Sequence, residues 1–177
     1  MRTYKRIRIK GGCYFFTVNL AHRKGNQLLI RHIDALRAAF KKIKQNHPFK
    51  MDAVVILPEH LHCIWQLPQG DDDYSTRWRL IKSEFSQSIE TGEYISQSRQ
   101  RKNERGIWQR RFWEHLIRND EDYSYHFDYI HYNPVKHGYV KRVKDWQYSS
   151  FHYWVSKEVY SLSWTTTNDR IINDWLE

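Results

Sequence analysis

Apolar residues recur along this chain with two distinct periods, and the alternation between them outlines a fold. "CYFFTVNLA" (13–21) is rich in β-forming residues, with Gly11-Gly12 before it and a polar loop behind, which predicts a strand. In "IRHIDALRAAFKKIKQN" (30–46), Ile33, Leu36, Phe40 and Ile43 fall at helical spacing, and His47-Pro48 ends the run. "KMDAVVILPEHLHCIWQLP" (50–68) predicts two strands joined near Pro58-Glu59. Over 71–92, acids lead Trp78, Ile81, Phe85 and Ile89 in helical step, with Gly92 as the stop. Residues 93–106 are polar and read as a mobile loop, and 107–118 as a further strand. A helix over 120–132 follows, with Asn119 or Asp120 as its N-cap, acids in its first turn and Pro134 limiting its end.

Strand, helix, strand, strand, helix, strand is the order of a ferredoxin-like, split βαβ domain of the α+β class. Its antiparallel sheet would carry helices on one face and leave the other face or the rim for a site, and an extra helix comes last. The expected layout is a domain over 1–153, with 1–12 as a basic arm, and a C-terminal tail over 154–177.

The strand "HLHCIW" holds two imidazoles two residues apart, so His60 and His62 share a face while Leu61 and Cys63 point the other way. Such a pair can bind a metal, share protons or sit satisfied in a core, and the spacing alone leaves all three open. On the last helix Tyr129 and Asn133 are four apart and therefore on one face. A packed tyrosine at a helix end would look the same. His131 and Tyr132 lie off that line, and His115, His126 and His152 show no ligand spacing, which suits packing or surface roles. Glu59 reads either as a turn residue or as a partner that orients a ligating histidine.

Charge narrows the partners. The chain of 177 residues carries 29 lysines and arginines against 20 acids, a net +9, which favours polyanions. "MRTYKRIRIKGG" contains no acid, so Arg2, Tyr4, Lys5, Arg6 and Arg8 are candidates to follow a phosphate backbone. "RKNERGIWQRRFW" (101–113) interleaves basic and aromatic residues, as a single-stranded nucleic-acid surface requires and as core aromatics alternating with surface charge would also give, and it offers Arg110 and Arg111. Two cysteines, Cys13 and Cys63, are too few for a disulfide scaffold and lack zinc spacing. No apolar run is long enough to span a membrane, and the N-terminus lacks a signal-type apolar core, so a cytoplasmic protein with no membrane partner is expected.

Four blocks, "GGCYFFTVNL", "PEHLHCIWQLP", "WQRRFWEHLIRNDEDY" and "YIHYNPVKHGYV", in this order and spacing, resemble the REP-associated tyrosine transposases. These are a branch of the single-tyrosine HUH transposases and nucleases, and the likeness covers about residues 4–153. The resemblance implies a divalent metal, Mg²⁺ or Mn²⁺, on His60, His62 and Asn133, with Tyr129 as the nucleophile. It also implies action on single-stranded DNA beside REP-type hairpins through a 5′-phosphotyrosine, without a nucleotide cofactor. A monomer is favoured, with a homodimer as the alternative. Two other functions stay open on the residues alone: a hairpin-binding protein with a vestigial site, and a phosphoesterase that activates water instead of tyrosine.

Overall fold

A computed structural model describes residues 6–173, so Arg2, Tyr4 and Lys5 of the basic arm lie outside the described residues. The elements in chain order are β1 (Cys13–Asn19), α1 (Leu28–Arg31), α2 (Ile33–Asn46), β2 (Lys50–Ile56) and β3 (His60–Gln66). They continue with α3 (Tyr74–Gln87), α4 (Gln97–Gln100), β4 (Trp113–Leu116), α5 (Asp120–Lys136), a 3₁₀ turn (Val143–Asp145), α6 (Phe151–Ser156) and α7 (Asp169–Asn173). The four strands form one sheet in the order β2-β3-β1-β4, antiparallel at every pairing, which is the ferredoxin-like arrangement. Among the described residues no helix is long and apolar enough to cross a membrane.

Period-two alternation divides the sheet's side chains between two cores. Tyr14, Phe16, Val18, Leu61, Cys63 and Trp65 face α2 and α3. There Trp65 stacks on Trp78 with ring centroids 4.3 Å apart and on Phe49 at 4.0 Å, large apolar surfaces that dock α3 on the sheet. Phe15, Ala53, Val55 and Ile64 face the opposite side and pack with Tyr125, Phe127, Tyr129 and Ile130 of α5. Phe151, Tyr160 and Ile171 from the C-terminal segment complete this second core. The second face is therefore covered instead of open, and position 153/154 falls inside α6. Because β3 is a central strand with both faces roofed, His60, Leu61, His62, Cys63, Ile64 and Trp65 are all fully buried. Cys13, at the head of β1, is half-buried and unpaired, and Cys63 is in the first core.

Several element boundaries differ from the sequence expectation. The first helical run breaks at His32 into α1 and α2. Helix α3 starts where Asp73 accepts the Thr76 amide at 3.0 Å, and it ends at Gln87, before Gly92. The expected strand over 107–118 is regular only at Trp113–Leu116; Trp108 makes an isolated bridge to Leu20, and Arg110 and Arg111 lie on irregular chain. The polar loop before it is tied down. Arg105 grips Glu93 at 2.6 and 2.8 Å while donating to the carbonyls of Ser86, in the last turn of α3, and of Ile89 and Glu90 just beyond it.

Pro134 does not end α5, which runs on to Lys136. A proline within the last turn removes one hydrogen bond but leaves the following amides free to donate, and His137 and Tyr139 do so to the Asn133 and Pro134 carbonyls at 3.0 Å each. Gly138, at φ +72°, takes the left-handed conformation that terminates the helix. Asn133 consequently keeps helical geometry and stays in register with Tyr129.

Candidate active site

The sheet and α5 bring the two motifs together. His60 and His62 point from β3 toward α5, with ring centroids 4.9 Å apart, and the Tyr129 ring lies 5.4 Å from that of His62. Asn133 stands one helical turn beyond Tyr129, fully buried. Leu61 is turned into the opposite core, so the strand's pleat alone separates the polar pair from the apolar packing.

Each histidine is oriented through its Nδ1. Thr17, paired with His62 across β1 and β3, places its Oγ1 2.8 Å from His62 Nδ1. Glu59 Oε1 lies 2.9 Å from His60 Nδ1, so Glu59 takes the orienting role and is more than a turn residue. Arg23 and Tyr139 hold that carboxylate in turn, at 3.3 and 3.1 Å. Burial pushes the Glu59 carboxyl up, but hydrogen bonds and charge from His60, Tyr139 and Arg23 outweigh it and hold the group at about 2. Burial, reinforced by His60, His137, Arg23 and Lys136, drives His62 well below the ordinary histidine value, so it is neutral near pH 7. A neutral imidazole whose Nδ1 is engaged offers its Nε2 lone pair, the form in which histidine ligates metals.

The donor set fits a divalent cation. Among the described residues, His62 Nε2 and both amide atoms of Asn133 are buried without a hydrogen-bond partner. Orphaned polar atoms in a core cost about 1–3 kcal/mol each, so three near one tyrosine call for a ligand. Two imidazoles and an amide oxygen would fill only part of a cation's shell and leave positions for phosphate oxygens.

Tyr129 is itself fully buried. The Lys136 ammonium lies 4.9 Å from its ring centroid and donates to the Ile171 carbonyl of α7 at 3.0 Å, so the C-terminal segment packs against α5 beside the tyrosine. His131, two residues on from Tyr129, faces away and is held by the Phe127 carbonyl, Tyr160 and Ser150, with burial lowering it to about 3. Tyr132 is half-buried at the edge of the second core. His152 is exposed and bonds the Lys144 carbonyl, whereas His115 and His126 meet at Asp122 instead of serving separately as packing residues.

The basic residues expected to meet phosphate are distributed unevenly. Arg6 pairs with Glu114 at 2.9 Å and lies over Phe112, Arg8 sits near Asp72 and Asp73, and Arg110 pairs with Glu104 and bonds Ser98. Arg111 is exposed and makes no ion pair among the described residues. Thr17, Arg23 and Tyr139 escape a sequence reading because only the strand pairing and the α5 terminus bring them near the histidines.

No protein-family model matches the chain. It is 49% identical to the REP-associated tyrosine transposase of Escherichia coli strain K12 over 164 residues, 93% of this chain and 91% of that protein. Its fold superposes on a solved structure of a REP-associated tyrosine transposase bound to a REP hairpin with a TM-score of 0.85. The two are 46% identical, and the superposition covers 99% of this chain and 96% of the other.

Proposed function

The chain belongs to the REP-associated tyrosine transposases, and on that premise we propose that it is a metal-dependent endonuclease and strand transferase for single-stranded DNA at REP-type hairpins. The observation that carries this reading is the approach of the Tyr129 ring to within 5.4 Å of His62, with Asn133 one turn further along the same helix. His60, His62 and Asn133 would hold the cation, and when bound it supplies Lewis-acid polarisation of the scissile phosphate. Mg²⁺ is the cellular ion by abundance, while the imidazoles favour Mn²⁺.

Tyr129 is the nucleophile. Its Oη forms a bond to phosphorus as the bond from phosphorus to O3′ breaks; the phenolic proton passes to solvent and the departing oxygen gains one. The products are a 5′-phosphotyrosine and a free 3′-OH. One phosphoester replaces another, so a second 3′-OH can reverse the step, and no nucleotide cofactor is consumed. Thr17 and Glu59 keep the two imidazoles aimed at the site throughout. Arg111, with Arg2, Tyr4, Lys5, Arg6, Arg8 and Arg110, would follow the backbone; Arg6, Arg8 and Arg110 must first exchange a carboxylate for a phosphate. The protein would work as a monomer, with a homodimer as the alternative.

A second reading, a hairpin-binding protein without turnover, is favoured by one observation: Tyr129 is fully covered. Incubating 3′-end-labelled hairpin DNA bearing a single-stranded flank with Mn²⁺, followed by denaturing gel electrophoresis, separates the two. Covalent label at protein size, lost in Tyr129→Phe while hairpin binding is kept, supports cleavage. Absence of label at every metal concentration supports the binder.

A further inference from the structure

Three side chains that the proposed chemistry does not use meet at the start of α5. His115 comes from β4, while Asp122 and His126 stand four apart on α5 and so share a face. His115 Nε2 lies 2.9 and 2.8 Å from the two Asp122 carboxylate oxygens, and His126 Nδ1 lies 3.2 Å from one of them. One ligand atom from each residue falls within 4.8 Å of the other two. The two imidazoles stack at 4.5 Å with an interplanar angle of 22°, which turns both ring edges toward the same carboxylate. The group is partly sheltered: the side chains of His115, Asp122 and His126 are 18%, 17% and 5% exposed.

The cluster is separate from the histidines of β3. Phe15 stands between the two groups, its ring 4.7 Å from His126 and 5.4 Å from His62. His115, Asp122 and His126 also differ from His60, His62 and Asn133 in chemistry, since a carboxylate replaces the neutral amide.

We propose that His115, Asp122 and His126 form a second divalent-metal site, suited to a borderline transition ion such as Zn²⁺ or Co²⁺, that clamps α5 to β4. Two nitrogens and one anionic oxygen suit such ions better than Mg²⁺, which prefers an all-oxygen shell. Three protein ligands leave room for water to complete the coordination. Binding exchanges hydrogen bonds for ligand bonds. Each ring nitrogen that carries a proton toward Asp122 gives it up to solvent, including His126 Nδ1, which bonds the Asp122 carbonyl at 2.8 Å. The Asp122 oxygen that accepts the Arg118 amide at 3.0 Å can keep that bond and be oriented by it. The clamp would hold the first turn of α5, two turns before Tyr129, against the sheet edge.

The full-length protein, stripped with chelator and dialysed against Zn²⁺ or Co²⁺, is assayed for bound metal by elemental mass spectrometry. His115→Asn and Asp122→Asn should each carry one ion fewer than the wild type, whatever the wild-type number. Carbethoxylation of the unmutated protein, mapped by mass spectrometry, provides a readout that needs no variant. Zn²⁺ at about ten times its Kd should slow modification of His115 by about tenfold while exposed His152 reacts as before. Equal metal content in variants and wild type, or His115 reactivity unchanged by Zn²⁺, would overturn the proposal and leave the cluster a hydrogen-bonded brace.

Discussion

Thr17→Val tests whether the histidine pair is held in place for a ligand or merely packed. Valine matches threonine in shape, so the substitution removes the Oγ1 that sits 2.8 Å from His62 Nδ1 while keeping the apolar packing inside β1. His62 then keeps a buried ring nitrogen with no counterpart, a cost of about 1–3 kcal/mol. In a chain of this length that lowers the melting temperature by roughly 2–4 °C per kcal/mol. A packing role predicts this loss and nothing more. A ligand role adds a second effect, because an imidazole free to rotate no longer presents Nε2 to the site. Losing such an orienting partner typically weakens metal binding about 10–100-fold. Mn²⁺ affinity measured by calorimetry at pH 7.5, beside the melting temperature, reads the two effects separately, and Thr17→Ser, which keeps the hydroxyl, should restore affinity. A destabilised Thr17→Val protein with unchanged Mn²⁺ affinity would refute the reasoning.

Other outcomes follow from the packing and charges described above. Ile171→Ala removes a fully buried side chain from α7 and should weaken its docking by about 2 kcal/mol or more. About 2 kcal/mol corresponds to roughly 30-fold more of the undocked state, so covalent label should accumulate faster as the melting temperature falls; an unchanged rate would show that α7 does not restrict access to Tyr129. Glu93 is held at about 2, first by its hydrogen bond to Arg105, against an ordinary value of 4.5. A carboxyl depressed on folding stabilises the protein above its unfolded value, and the contribution fades as pH falls through 4.5 toward 2. Solvent screens this partly exposed pair, so its contribution is about 1 kcal/mol or less. Denaturant titrations from pH 6 to 2 should therefore show less acid loss in Glu93→Gln than in the wild type, and identical slopes would contradict the clasp.

The fold was legible wherever a period was long and a boundary local. The alternation in "HLHCIW" placed His60 and His62 on one face, and the four-residue step placed Tyr129 with Asn133. Features that depend on distant chain were not legible. Thr17 meets His62 only through the β1–β3 register, 45 positions apart in sequence. Arg105 orders its loop because α3 leaves carbonyls within its reach, a fact that loop composition cannot convey. The Pro134 rule failed because it describes a proline's effect on the residue before it in isolation. Here Asn133 and Pro134 are both buried against the sheet, and packing holds the helical geometry that local sterics disfavour. The same reasoning covers the arginines: their positions were apparent, but Glu114, Asp72 and Glu104 come from elsewhere in the chain or from the far side of a loop, so their pairing was not.

Anomalous diffraction from crystals of the protein with Mn²⁺ and a hairpin bearing a single-stranded flank would show whether the histidine pair, Asn133 and Tyr129 converge on one ion. An Mn²⁺ peak coordinated by His60, His62 and the Asn133 amide oxygen is expected, with the Tyr129 hydroxyl in line with the phosphate beside it. A peak only at His115, Asp122 and His126, or a Tyr129 still buried with DNA bound elsewhere, would overturn the active-site assignment.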